Sequence, residues 1–168
     1  GGFFVYRASG GQEIIYANRA MLRLFNCESM DEFREWTGNS FCGIVHPDDL
    51  EMVEKSIQEQ IAGSRYDMDF VEYRIIQQGG EIRWVEDYGH FVHSDSAGDV
   101  FYVFLIDATE KWLRRKAEEA AVRQKEQSWQ NQLESYDRAL RNINEEHLFH
   151  LEMIEGLSID YDSIFYAD

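Results

Sequence analysis

Proline is almost absent from this chain, since only Pro47 occurs among 168 residues. Cysteine is scarce as well: Cys27 and Cys42 have neither metal-ligand spacing nor a disulfide framework, and we interpret them as reduced thiols. No apolar run reaches the roughly 20 residues that a membrane-spanning helix needs. No basic and then apolar segment opens the chain as a signal peptide would. We therefore expect a cytoplasmic location and no membrane contact from this segment.

Basic residues are few: 16 Lys and Arg stand against 32 Asp and Glu, for a net charge of −16. An acidic surface repels phosphate backbones, so we expect no nucleic-acid partner. The charge is also unevenly distributed. Residues 1–109 hold eight basic against nineteen acidic residues, whereas residues 110–150 hold eight of each. This shift predicts that a compact acidic domain ends near residue 110 and that a charge-mixed helix follows.

The first part of the chain predicts a β-hairpin and then short helices. Runs of β-forming residues at 3–6 and 13–17 flank a turn at Gly10 and Gly11. Asn18 has the position of an N-cap for a two-turn helix. Ser29 and Glu32 have capping-box spacing at the start of a second short helix.

A longer helix is predicted after the single proline. Pro47 suits the first helical position, where its missing N–H has no cost, and Asp48 and Asp49 would favour the positive end of the helix dipole. One apolar stripe follows, and Gly63 is predicted to end the helix; the stripe consists of Leu50, Val53, Ile57 and Ile61.

After Gly63 the period changes to that of strands. Three β-rich runs, at 69–77, 82–93 and 100–106, are separated by short turns, one of them at Gly79 and Gly80. Strands joined so closely pair antiparallel. With the opening hairpin they predict an α+β fold in which a five-stranded antiparallel sheet has short helices on one face.

From Asp107 onward strand character stops, and glycine and proline are absent until Gly156. Apolar residues recur at spacings of four and three, which is the pattern of a coiled-coil seam. They are Trp129, Leu133, Tyr136, Leu140 and Ile143. A long helix with such a seam needs a partner, so we expect a homodimer.

Several motifs occur in the order that is typical of one family. The runs IIYANRAMLRLF, HPDDLEMV and EYRIIQQGGEIRWVEDYG resemble a strand leading into a helix, the start of a longer helix and a strand hairpin of the PAS domain. The run IDATEKW is similar to the Asp-x-Thr signature at the end of PAS cores, here Asp107 and Thr109. The resemblance covers residues 3 to about 112.

This resemblance implies a sensory role and a domain order. It implies a PAS domain at 1–109 and a helical coiled-coil signalling linker at 110–150. At 151–168, the break at Gly156 and the β-rich run at 163–166 predict the first strand of a following module, truncated in this sequence. Asp107, Thr109 and Trp84 would transmit the signal to an output domain in the same chain. By family context, that output would be a diguanylate cyclase or a histidine kinase.

The resemblance also implies a small-ligand pocket between the helices and the sheet, although each aromatic residue is individually better explained as core. The candidate lining is Phe25, Phe41, Tyr73, Trp84, Tyr88 and Phe101. No sequence pattern requires a cofactor, and none identifies a particular cofactor or ligand. Cys27 lacks the residues that follow the cysteine in flavin photoreceptors, and we do not expect flavin photochemistry.

No set of catalytic residues stands out, so we expect no enzyme activity from this fragment. The histidines do not form a metal-binding set with carboxylates or thiols, and we predict no metal site. The alternative to a sensor is a ligand-free structural domain for protein–protein interaction. The two alternatives differ in whether the core contains a void.

Overall fold

The computed structural model describes residues 1–96 and 98–165, with side chains described as far as residue 155. The chain divides into two compact units, Gly1–Arg114 and Arg115–Asp168. In order, the elements are β1 (Gly2–Arg7), β2 (Ile14–Ala17), α1 (Arg19–Leu24), α2 (Met30–Thr37), a 3-10 turn (Phe41–Gly43), α3 (Leu50–Gly63), β3 (Met68–Ile76), β4 (Ile82–Val92), β5 (Val100–Asp107) and α4 (Thr109–Phe165).

The five strands form one antiparallel sheet in the order β2-β1-β5-β4-β3. The first and last strands of the chain segment, β1 and β5, are therefore neighbours at the centre, and α1 to α3 connect the two edges. Gly79 and Gly80 adopt positive φ angles of 108° and 89° in the tight β3–β4 turn, as expected for glycine there. The predicted α+β sheet with its helices and long C-terminal helix is confirmed.

The predicted helix caps are present. Oδ1 of Asn18 accepts a hydrogen bond from the backbone N–H of Met21 at 3.1 Å. Oγ of Ser29 accepts one from the N–H of Glu32 at 3.2 Å. The carboxylate of Glu32 reaches back to the N–H of Glu28 at 2.8 Å, one residue earlier than in the usual capping box. These bonds satisfy N–H groups that the first helical turn leaves unpaired.

The start of α3 differs from the prediction. The residues Pro47, Asp48 and Asp49 form a turn, and the helix begins at Leu50. Nδ1 of His46 accepts a bond from the N–H of Asp48 at 3.2 Å, which fixes this turn locally. Asp49 is the N-cap residue, but its side chain makes no capping bond. Its carboxylate binds Arg74 on β3 instead, and this tertiary ion pair is not evident from the local sequence.

The core lies between one face of the sheet and the helices. We call this the inner face; because strand residues alternate, its positions are every second residue. On β4 these are Val85, Asp87, Gly89 and Phe91. Val53 and Ile57 of α3 are buried against the core, and Leu50 and Ile61 pack at its margin. The predicted stripe of α3 is therefore confirmed.

At the C-terminal end, the structure corrects one local expectation. The backbone of α4 continues through Gly156 as far as Phe165, so the β-rich residues 163–165 are not a strand. A helix satisfies its own backbone groups, whereas a strand needs a neighbouring strand, and in the described part of the chain the sheet consists of β1 to β5 alone. Residues 166–168 lie outside the described residues. The assignment of 151–168 to a following module stays a prediction.

Candidate functional site: a core cavity and the start of helix α4

A cavity of about 310 Å³ lies between α3 and the inner face of the sheet. This volume is at the small end of the range for ligand pockets. Aromatic and aliphatic side chains form most of its wall, and three polar side chains complete it. The lining residues are Tyr6, Ala8, Gln12, Phe41, Glu54, Ile57, Gln58, Ile61, Ala62, Phe91 and Phe101.

A small hydrogen-bond network links Gln12, Cys42 and Glu54 at this cavity. The Cys42 thiol donates to Oε1 of Gln12 at 2.9 Å, and Nε2 of Gln12 donates to Oε1 of Glu54 at 3.2 Å. Burial, followed by the nearby charge of Glu54, raises the pKa of Cys42. Cys42 is therefore kept as a thiol, and the network offers a carboxylate to the cavity wall.

Two buried carboxylates lie on the inner face of the sheet without lining the cavity, and the sequence did not single them out. Asp69 of β3 is 5% exposed and Asp87 of β4 is 1% exposed. Oδ2 of Asp87 accepts a hydrogen bond from the hydroxyl of Tyr73 at 2.7 Å. The other Asp87 oxygen and both oxygens of Asp69 have no hydrogen-bond partner in the described part of the chain. The sequence did contain a signal for them: both aspartates stand at the inward-facing positions in the alternation of β3 and β4.

The burial of these carboxylates changes their protonation. Burial raises the pKa of Asp69 to about 6. Burial also raises the pKa of Asp87 to about 8; the hydrogen bond from Tyr73 opposes this rise, and the charge of Asp69 adds to it. Burial and the charges of Asp87 and Asp69 raise the pKa of the cavity-lining Tyr6 as well. On the inner face, adding or neutralising one charge therefore shifts the pKa values of the neighbouring ionisable side chains.

The structure divides the six residues predicted to line a pocket. Phe41 and Phe101 line the cavity. Tyr73 is fully buried, and its hydroxyl donates a hydrogen bond to Asp87. Phe25 is fully buried against Phe33, with the two ring centroids 5.3 Å apart.

Trp84 and Tyr88 lie on the opposite face of the sheet. Even-numbered residues of β4 alternate with the inward Val85 and Asp87, so these two rings point away from the helices. They do not line the cavity between the helices and the sheet. Trp84 belongs instead to the junction where α4 begins.

At that junction, hydrogen bonds join α4 to β4. Oδ1 of Asp107 accepts bonds from the N–H of Thr109 at 3.0 Å and from its hydroxyl at 2.6 Å. Oγ1 of Thr109 accepts a bond from the N–H of Trp84 at 3.0 Å. The N–H of Ala108 donates to the carbonyl of Trp84 at 2.8 Å. The three predicted transmission residues therefore form one hydrogen-bonded group.

Side chains in the first turn of α4 extend this junction. The rings of Trp84 and Trp112 stack with centroids 4.2 Å apart and an interplanar angle of 11°. Lys111 forms an ion pair with the buried Glu86 on the same sheet face. The start of α4 is thus fixed by aromatic stacking and charge as well as by hydrogen bonds.

An ion pair connects α3 to the same junction. Asp49 accepts hydrogen bonds from the backbone N–H of Arg74 at 3.0 Å and from its Nε at 2.9 Å. These bonds lower the pKa of Asp49 and keep it charged. Cζ of Arg74 lies 5.9 Å from the centre of the Trp84 ring, a cation–π distance. Contacts thus run from the start of α3 through β3 and β4 to α4.

The outer face of the sheet carries exposed aromatic side chains. Phe3 contacts Tyr16, Tyr102 and Phe104, with ring centroids 4.9 to 6.2 Å apart. Tyr102, Phe104 and Ile106 of β5 are between 41% and 57% exposed. β5 is therefore apolar on both faces of the sheet.

The residues of the predicted coiled-coil seam all lie on α4 and are between 44% and 65% exposed in the single chain. Among the described residues, no group of three or more His, Cys, Asp or Glu side chains is arranged to hold a metal ion. Within the same part of the chain, none of the helices combines the length and apolar character of a bilayer span.

Comparison with known proteins places the fold. A domain from the sensory box histidine kinase/response regulator of Burkholderia thailandensis is 19% identical, with a TM-score of 0.52, covering 77% of this chain and 90% of that one. An RNA-binding light-oxygen-voltage receptor is 20% identical with a TM-score of 0.57; the match covers 72% of this chain but only 33% of the receptor. A PAS domain from Colwellia psychrerythraea is 18% identical with a TM-score of 0.51, covering 65% and 86% of the two chains.

No curated protein matches the chain. A family profile described as the PAS fold matches residues 14–105, which is more than half of the sequence. Its span contains α1 to α3, most of the sheet and all the cavity-lining residues except Tyr6, Ala8 and Gln12. The chain therefore belongs to the PAS family of sensory domains.

Proposed function

We propose that this PAS domain is the sensory and dimerisation module of a cytoplasmic signal-transduction protein. A change in the core passes through Asp107 and Thr109 into α4 and then to an output domain in the same chain. The observation that carries this proposal is the hydrogen-bonded group formed by Asp107, Thr109 and Trp84. It ties the first residue of α4 to the sheet that forms the cavity floor.

A physical route from the cavity to α4 supports the proposal. Glu54, Ile57 and Ile61 of α3 line the cavity, so a bound ligand would displace α3. The start of α3 is held by Arg74, whose guanidinium also lies near Trp84. Because Trp84 stacks on Trp112, a shift of α3 would alter the packing of the first turn of α4.

The proposed output depends on dimerisation. The seam on α4 would pair with the same seam of a second copy as a coiled coil, and the outer sheet face would meet a second protomer or a flanking helix of the chain. Family context suggests a diguanylate cyclase or a histidine kinase as the output domain. The domain itself carries no catalysis in this proposal; it alters the geometry of two parallel helices.

Filling the cavity by mutation tests the relay without knowledge of the natural ligand. Ile61→Trp adds an indole at the margin of the cavity, where Ile61 is only partly buried. We expect this change to alter amide hydrogen exchange in residues 108–114. In Asp107→Ala and Thr109→Ala backgrounds the same change should have several-fold less effect. Thr109→Ala removes the bond to the N–H of Trp84, and Asp107→Ala removes the two bonds that hold Thr109 in place. Exchange measured by mass spectrometry reports each segment.

Glu110→Ala is the matched control, because Glu110 occupies the same exposed first turn outside the hydrogen-bonded group. It should leave the response to Ile61→Trp intact. An equal response in all backgrounds would contradict the relay. Severe unfolding of the Asp107→Ala chain would assign Asp107 a structural role instead.

The alternative is a ligand-free structural domain for protein–protein interaction. The exposed aromatic residues of the outer face favour it, because such a patch commonly marks an interface. The exchange experiment separates the two functions. A structural domain should show no response to cavity filling at residues 108–114 in any background.

A further inference from the structure

The cavity wall combines aromatic rings with hydrogen-bond acceptors. Four rings, those of Tyr6, Phe41, Phe91 and Phe101, face it together with the carboxylate of Glu54. Gln12 and Gln58 complete the polar part of the wall, and no lysine, arginine or histidine is among the described lining residues. A wall of π-faces and acceptors without a positive charge attracts cations and repels anions.

The unpartnered carboxylates lie on the same face of the sheet as this wall, and the charges of both act on the cavity-lining Tyr6, although neither carboxylate lines the cavity itself. Gly89 pairs with Asp69 on β3 and with Val103 on β5, and it precedes the cavity-lining Phe91 by two residues on the same face. A Cβ atom at Gly89 would lie 2.3 Å from Oδ2 of Asp69. The absence of a side chain at Gly89 therefore provides the space in which the Asp69 carboxylate lies over β4.

Three oxygens of these two buried carboxylates have no hydrogen-bond partner among the residues that the structure describes. A buried acceptor without a donor costs about 1–3 kcal/mol, and more when it is charged. Proteins retain a buried acceptor of this kind when a ligand, a water molecule or a shared proton supplies the missing donor. Among ligands, an ammonium group fits best, since it supplies three N–H donors and the missing positive charge.

We propose that the cavity binds a small organic ammonium ion, a protonated primary amine on an apolar body. The amine would bind the unpartnered oxygens of Asp69 and Asp87, and the apolar body would lie among the rings of the cavity wall. This inference rests on the proposed sensory function and names the chemical class of its ligand. A divalent metal fits less well, because the described residues contain no group of three metal-binding side chains.

Matched pairs of small molecules test the charge requirement. We would titrate the purified chain with benzylamine, cyclohexylamine and 2-phenylethylamine, each against its alcohol isostere, by isothermal calorimetry near neutral pH. Phenylacetate serves as the anionic comparison. At least one amine should bind roughly ten-fold more tightly than its alcohol, which corresponds to one ion-paired hydrogen bond. Phenylacetate should not bind.

Two variants locate the binding site. Asp69→Asn keeps the side-chain shape but removes the charge, and it should abolish the preference for the amine over the alcohol. Glu54→Gln, at a half-buried position, should weaken amine binding several-fold with little risk to folding. Asp31→Asn removes the same charge from an exposed position on α2 and should leave amine binding unchanged.

The outcomes separate this inference from the proposed function. If no amine binds more tightly than its alcohol, or if Asp69→Asn and Glu54→Gln both retain the preference, the cavity does not select cations. The carboxylates would then be satisfied by water or by a proton shared between them. The relay would be unaffected by that result, because cavity filling by Ile61→Trp tests it independently. Amine binding with no exchange response at residues 108–114 would contradict the relay alone.

Discussion

Asp69 and Asp87 are the residues whose chemistry depends most on the fold. In an unfolded chain both would be ordinary exposed carboxylates with pKa values near 4. On the inner face their pKa values rise to about 6 and about 8, chiefly through burial. The folded state therefore holds protons that the unfolded state has released. This difference couples the stability of the domain to pH.

We predict that the free energy of unfolding falls as pH rises from about 4 to about 8. In this window the folded chain binds more protons than the unfolded chain, so raising the pH favours unfolding. One pKa unit corresponds to about 1.4 kcal/mol, so a loss of a few kcal/mol is expected. Urea denaturation at a series of pH values measures the slope.

Asp87→Asn should flatten this pH dependence. The amide remains neutral and its oxygen still accepts the hydrogen bond from Tyr73. Asp31→Asn on the surface of α2 is the matched control and should leave the slope as it is. A parent chain whose free energy of unfolding is constant from about pH 4 to about pH 8 would show that burial does not raise the pKa values of the two carboxylates. An Asp87→Asn chain with the original slope would show the same for Asp87 alone.

At the scale of elements, the ion pair between Asp49 and Arg74 connects the start of α3 to the edge strand β3. It involves the Asp49 carboxylate, which the sequence predicts to interact with the dipole of the first helical turn. Arg74 binds the carboxylate through both its backbone and its guanidinium, and it also lies over Trp84. One side chain thus connects α3, β3 and β4.

Replacing Arg74 with alanine should lower the free energy of unfolding by about 1.5–3 kcal/mol, the value of charged hydrogen bonds at a partly buried site. Arg74→Lys should recover little of the loss, because an ammonium group does not reproduce the geometry of the guanidinium. Denaturant unfolding measures both. Arg34→Ala breaks the exposed pair with Asp31 and should cost less than about 1 kcal/mol. Equal losses of unfolding free energy in Arg74→Ala and Arg34→Ala would show that the ion pair between Arg74 and Asp49 stabilises the fold no more than an exposed pair does.

At the scale of the whole molecule, the seam on α4 is the feature that a single chain leaves unsatisfied. Its five apolar residues are exposed along one helix. Burying a leucine side chain contributes about 1.5–3 kcal/mol. A helix of 57 residues cannot gain that energy alone, and pairing with a second copy would supply it.

We predict a homodimer that dissociates when the seam is charged. Leu133→Asp together with Leu140→Asp should weaken dimerisation at least roughly a hundred-fold, because both copies lose buried leucines and gain repelling charges. Native mass spectrometry and sedimentation report the oligomeric state. Ser135→Asp adds a charge away from the seam and should leave the dimer intact. A monomeric parent chain, or an intact dimer in the double variant, would contradict the coiled coil.

Much of the fold was predictable because its signals are local. The strands and helices follow from periodicity and turn residues, and the caps at Asn18 and Ser29 follow from bonds between residues three apart. Asp107 and Thr109 were identified by resemblance to the Asp-x-Thr signature of PAS cores, and their mutual bonds span only two residues.

Only the tertiary structure decided which side chains form the candidate site. The alternation of β4 placed Trp84 and Tyr88 on the outer face, and the register of β3 against β4 set Asp69 beside Gly89 and close to the cavity. Asp49 is the N-cap residue of α3, but its carboxylate binds Arg74, which lies 25 positions away in the sequence. The sequence by itself determined the elements, because backbone preferences act between near neighbours. The charge of the core and its connection to α4 arise from contacts between residues far apart in the chain.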